Sequence, residues 1–142
     1  MEKLHLISAD TLFYQPLDHP KMLIDGILSN GLAILSGDSK IGKSWMVLWL
    51  CLKISRGEPV WGLPTAQTDV IYLALEDNDW RIQQRMQDLV DIPPDNLQFG
   101  FSCGKLGAEL EGQIKGVLDD NPNTGLLFID TLQMVRDNVS SR

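Results

Sequence analysis

The residues Gly37-Asp38-Ser39-Lys40-Ile41-Gly42-Lys43-Ser44 have the types and spacing of a phosphate-binding loop, G-x-x-x-x-G-K-[ST]. The chemistry expected of them follows from the backbone. Glycines let the chain turn its N–H groups inward, and a helix starting at the end of the loop adds partial positive charge. Such a nest suits a di- or triphosphate. Lys43 is expected to reach the β- and γ-phosphates, and the Ser44 hydroxyl to bind Mg²⁺. A chance match to the four defined positions in a chain of this length is an event on the order of one in a few hundred.

Two further acidic positions could complete such a site. Leu126-Leu127-Phe128-Ile129 is an apolar run that stops at Asp130. A rigid strand ending in Asp is what a magnesium-side carboxylate needs, meeting the ion directly or through water. Val70 to Leu75 is a second apolar run, ending in Glu76-Asp77-Asn78-Asp79. Glu76, nearest the strand, is read as the base that orients and deprotonates an attacking water, with Asp77 as the fallback. The same acids could instead cap the next helix, and Asn78 or Asp79 suffices for that. Arg81 and Arg85, one helical turn apart, could touch phosphate or a neighbouring subunit, although a solvated face is the commoner use.

The elements that must position these residues follow from the hydrophobic pattern. Leu32 to Ser36 reads as the strand leading into the loop, and about Lys43 to Ser55 as a helix stopped by Gly57. Apolar residues wrap most of that helix, so it should be buried on most sides, with Trp45 and Trp49 packed in the core rather than stacking on bases. Further strands are expected at Val70–Leu75, Leu97–Phe101 and Leu126–Asp130, and helices at about Asp79–Val90 and Glu109–Leu118. Strands alternating with helices argue for an α/β fold with a mainly parallel sheet. Ser8-Ala9-Asp10 could cap a short helix, Tyr14 to Met22 reads as extended, and Leu23 to Leu28 as an apolar turn. Residues 1–30 are thus a lead-in segment expected to dock on the domain, and 31–142 the nucleotide-binding part.

Composition narrows the function classes. A net charge of −7 without a run of Lys or Arg excludes nucleic-acid binding by bulk charge, leaving a local loop or an assembled ring. Cys51 and Cys103, the only cysteines, lie far apart and indicate neither a disulfide framework nor a zinc site. The N-terminus has no signal-peptide pattern, and the longest apolar run, Trp45 to Leu52, is too short to span a bilayer. A cytoplasmic protein without membrane contact is the expectation.

Taken together, Gly37–Ser44 with Lys40-Ile41 inside, Tyr72-Leu73-Ala74-Leu75-Glu76-Asp77, and Leu127-Phe128-Ile129-Asp130-Thr131-Leu132 resemble the RepA-type AAA ATPases of the RecA-like class, relatives of plasmid and phage hexameric replicative helicases. The resemblance covers about residues 20 to 137. It implies a RecA-like P-loop core, usually a homo-oligomeric, hexameric ring, that couples ATP hydrolysis to movement on single-stranded DNA. It also implies ATP and Mg²⁺ as cofactors and the glutamate at the end of the second strand, Glu76 here, as base. Members of this class continue beyond the aspartate strand with a γ-phosphate sensor, DNA-facing loops and an arginine finger. One of those later strands lies between the phosphate-loop strand and the aspartate strand. The sequence stops about a dozen residues after Asp130, and so reads as an N-terminal, incomplete part of the domain, weak or inactive as an ATPase by itself. A sheet without the intervening strand can leave a gap, or close up and put Asp130 out of register with Ser44.

Three functions compete on these residues. The first is an ATPase motor of the replicative-helicase type. The second is a nucleotide-binding regulatory or interaction module with little turnover. The third, a phosphotransferase, needs an acceptor pocket and an arginine-rich lid that the sequence does not display.

Overall fold

The computed structural model describes residues 3–38 and 40–136. A six-residue helix, α1 (Ala9–Tyr14), comes first, and the Ser8 side chain accepts a hydrogen bond from the Thr11 N–H at its start. It buries no residue, and residues 3 to 21 are exposed throughout. The expected docking of the lead-in therefore fails for this stretch: its apolar side chains find no core surface to cover. Docking begins one element later. The apolar turn proves to be a hairpin of β1 (Met22–Ile24) and β2 (Leu28–Ser29). Ile24 enters the core, while Asp25 N–H donates to Pro64 O and Ala66 N–H to Leu23 O.

The helix after the phosphate loop is α2 (Lys43–Arg56). Gly57 ends it in the left-handed conformation, as the sequence indicates, and Lys53 and Arg56 lie in the last turn, where the helix dipole favours cations. Val47, Leu48, Leu50, Cys51, Leu52 and Ile54 are buried, which explains the near-continuous apolar sequence. Trp45 departs from expectation. It is 40 % exposed, with the Arg85 guanidinium over its ring at 5.3 Å. Trp49 packs on the rim of the core against Trp61.

Next come β3 (Asp69–Ala74), α3 (Asp79–Leu89), β4 (Leu97–Gly100), α4 (Leu110–Asp120), β5 (Thr124–Asp130) and a short α5 (Leu132–Val135), which the apolar pattern does not announce. The three strands form one parallel sheet in the order β4-β3-β5. Side chains alternate across it. Val70, Tyr72, Ala74, Leu97 and Phe128 join the cluster built on α2, whereas Ile71, Leu73 and Leu127 line a cavity of about 180 Å³ with Leu110, Ile114 and Val117 of α4. Helices thus cover both faces, and the fold is α/β, consistent with a RecA-like P-loop architecture.

The phosphate-loop strand is the main departure. Leu32 to Ser36 pairs with no strand among the described residues, and Leu32 is 95 % exposed. An apolar run becomes a strand only where a neighbouring edge accepts its backbone bonds. Here β5 forms the edge of the sheet. Leu32 to Ser36 thus stays outside the sheet, while Asp130 still meets Ser44.

Candidate functional site

The site is built from one loop and the carboxyl ends of two neighbouring strands, the usual place for ligands in parallel α/β sheets. In the loop, Gly42 at φ 89° is the N-terminal cap of α2, a conformation that disfavours any side chain. Lys40 also holds a positive φ, 63°. No side chain caps α2, and no acidic residue occupies its first turn. The first N–H groups of the helix are therefore left for an anion. Gly37, Asp38, Lys40 and Ile41 are exposed around them, whereas Ser39 lies outside the described residues. Lys43 donates from Nζ to the carbonyl oxygens of Gly37 and of Asp38, the latter at 2.8 Å. Its ammonium thus sits on the loop's own carbonyls, so it must exchange them for phosphate oxygens to play the part expected from the sequence.

Ser44 and Asp130 are brought together across 86 positions of chain. Ser44 Oγ donates to Asp130 Oδ2 at 2.8 Å. The strand pleat makes this possible. Asp130 pairs with Ala74 of β3, and shares its face of β5 with Leu126 and Phe128, the face that meets α2. Tyr72, two residues before Ala74 on the same face of β3, donates its hydroxyl to the same Asp130 Oδ2 at 2.8 Å. Burial first, and then its bond to the Asp130 carboxylate, push the Tyr72 hydroxyl well above the ordinary phenol range, so it remains a donor. The sequence displays Tyr72 only as one more apolar strand residue. Its link to Asp130 depends on the β3–β5 register, which no local pattern reveals.

Beyond Ala74, the β3 chain turns outward. Leu75 N–H donates to Asp130 O at 2.8 Å, holding the two strand ends side by side. Glu76 follows, exposed and without a hydrogen bond or ion pair from its side chain among the described residues. Asp77 differs in every respect. Its side chain is only 6 % exposed and accepts from Arg85 at 2.6 Å, with Arg81 at 3.6 Å. Arg85 therefore ties α3 back to the end of β3 and reaches Trp45 beside Ser44, whereas Arg81 remains largely solvated, its side chain 57 % exposed. Asn78, not Asp79, caps α3, accepting from Arg81 N–H.

The donor set fits a hydrated magnesium ion: one hydroxyl and one carboxylate oxygen, on elements that hold both rigidly, beside a loop able to hold phosphate. Among the described residues no cluster of three His, Cys, Asp or Glu side chains forms a metal cage.

A family model of the AAA domain matches residues 2–142. The chain belongs to the AAA-domain family. No curated protein and no solved structure matches it. The AAA domain is a nucleotide-binding ATPase domain, and in this chain its loop, helix N-terminus and paired Ser44 and Asp130 occupy one end of the sheet. None of the described loop residues of this AAA domain lines the apolar cavity under α4.

Proposed function

We propose that this AAA protein binds Mg²⁺-ATP at Gly37–Ser44 and hydrolyses it as the nucleotide-binding portion of a RepA-like replicative DNA helicase or a related DNA-dependent motor. The observation that carries the nucleotide reading is the contact of Ser44 Oγ with Asp130 Oδ2, which unites the two halves of a phosphate and metal site. Loop N–H groups and Lys43 take the phosphate charge, and Ser44 and Asp130 hold the ion. Bound there, Mg²⁺ offsets the negative charge of the phosphates. Glu76 accepts the proton of the attacking water. What supports Glu76 over Asp77 is that Asp77 is committed to two arginines whereas Glu76 is free of them among the described residues. Residues 1–30 serve as a lead-in and 31–142 as the nucleotide-binding part, in a cytoplasmic protein that acts on single-stranded DNA as a homo-oligomeric ring.

A second reading is a nucleotide-binding regulatory module with little turnover. It is favoured by the Lys43 ammonium lying on loop carbonyls and by Leu32 to Ser36 standing outside the sheet, which leaves the loop without a paired strand behind it. Steady-state ATP hydrolysis, measured with and without single-stranded DNA, separates the two. Stimulation by DNA is expected of a motor component. The measurement belongs on the longest natural form of the protein, where tight nucleotide binding with no turnover under either condition would overturn the motor reading in favour of the module.

A further inference from the structure

Tyr72 has a hydroxyl in a wall of rings. It is fully buried, between Phe99 of β4 at 5.8 Å and Phe128 of β5 at 6.4 Å between ring centroids, its register partners on either side. Both neighbours are phenylalanines, so a plain ring satisfies the packing of this layer. A buried hydroxyl adds a desolvation cost unless it is bonded. Asp130 Oδ2 is its acceptor, two residues beyond Phe128 and so on the same face of β5. The Tyr72 side chain spans that diagonal, its hydroxyl 2.8 Å from the carboxylate oxygen. The same oxygen receives Ser44 Oγ at the same distance, 2.8 Å.

We propose that Tyr72 is a positioning residue of the metal site: from the neighbouring strand its hydroxyl holds the Asp130 carboxylate in the orientation that meets Ser44. This rests on the nucleotide reading above. Ser44 serves both the carboxylate and the ion, whereas Tyr72 serves only the carboxylate. The Tyr72 bond is therefore the one that keeps Asp130 oriented whatever the loop holds. A carboxylate ligand with such a fixed partner is preorganised, and loss of a partner of this kind costs about 10- to 100-fold in metal affinity.

The test measures ADP affinity by calorimetry over a range of Mg²⁺ concentrations, and again in chelator, for wild type, Tyr72→Phe and Phe128→Leu. Tyr72→Phe keeps both ring contacts and is expected to fold. Its Mg²⁺ requirement should rise about tenfold or more, with unchanged affinity for ADP in chelator. Phe128→Leu disturbs the same layer without touching the hydroxyl, so it should lower the thermal midpoint and leave the Mg²⁺ requirement alone. An unchanged Mg²⁺ requirement in Tyr72→Phe would overturn the positioning role. So would an equal rise in Phe128→Leu, or failure of Tyr72→Phe to fold, since each makes the contribution structural. Failure of the nucleotide reading looks different: wild type itself would not bind ADP, or Mg²⁺ would not strengthen its binding.

Discussion

Ser44 and Asp130 touch through Oγ and Oδ2 at 2.8 Å, although one begins a helix and the other ends a strand 86 positions later. Asp130→Asn keeps the size of the side chain and an acceptor oxygen but removes its charge. Nucleotide binding should persist in this variant while its dependence on Mg²⁺ is largely lost. Calorimetric titration of ADP at several Mg²⁺ concentrations checks this, and a Mg²⁺ dependence equal to that of wild type would remove Asp130 from the site.

Lys43 is expected to trade the carbonyls of Gly37 and Asp38 for phosphate oxygens when nucleotide enters. A hydrogen bond between charged groups contributes about 1.5–3 kcal/mol, or roughly 10- to 100-fold in affinity. Lys43→Ala should weaken ADP and ATP binding by that order, read from the same calorimetry. Equal affinity in variant and wild type would sink the phosphate-loop assignment.

Glu76 and Asp77 are neighbours with opposite surroundings, and their variants should differ in kind. In a complete homologue, the change equivalent to Glu76→Gln is expected to leave ATP binding normal and to slow hydrolysis at least about a hundredfold, the usual scale for losing a general base. Asp77→Asn breaks a nearly buried ion pair with Arg85, so its effect should appear in thermal stability. Single-turnover hydrolysis beside thermal unfolding distinguishes them. If Asp77→Asn stops turnover and Glu76→Gln does not, the base lies one residue further on.

The Tyr72 hydroxyl, raised by burial, gives the fold an alkaline limit. A group whose pKa is higher in the folded than in the unfolded state contributes stability that is intact below the unfolded value. That contribution falls as pH rises above it, here above about pH 10. The chain has two tyrosines, and Tyr14 is exposed. In a Tyr14→Phe background, tyrosinate absorbance should appear only as the protein unfolds in alkali. Ionisation of Tyr72 near pH 10 with the fold intact would contradict its burial against Asp130.

Much of the local structure around the candidate site was legible because its signals are local. The loop pattern, the helix from Lys43 to its stop at Gly57, the two apolar runs ending in acids and the asparagine that caps α3 all lie in short stretches, where spacing and side-chain chemistry decide the outcome. Strand and helix alternation was enough for the α/β class. What only tertiary structure decided are the relations between distant segments. Leu32 to Ser36 has the composition of a buried strand, yet strand formation needs a partner edge, and composition does not supply one. Arg85 looked like part of a solvated face until the fold put Asp77 within its reach. Trp45 looked like core until Arg85 covered its ring at the surface. Tyr72 looked like one more apolar residue, because its bond to Asp130 exists only when β3 and β5 pair in one register. A one-residue slip in that pairing would turn Asp130 to the other face of the sheet, away from Ser44.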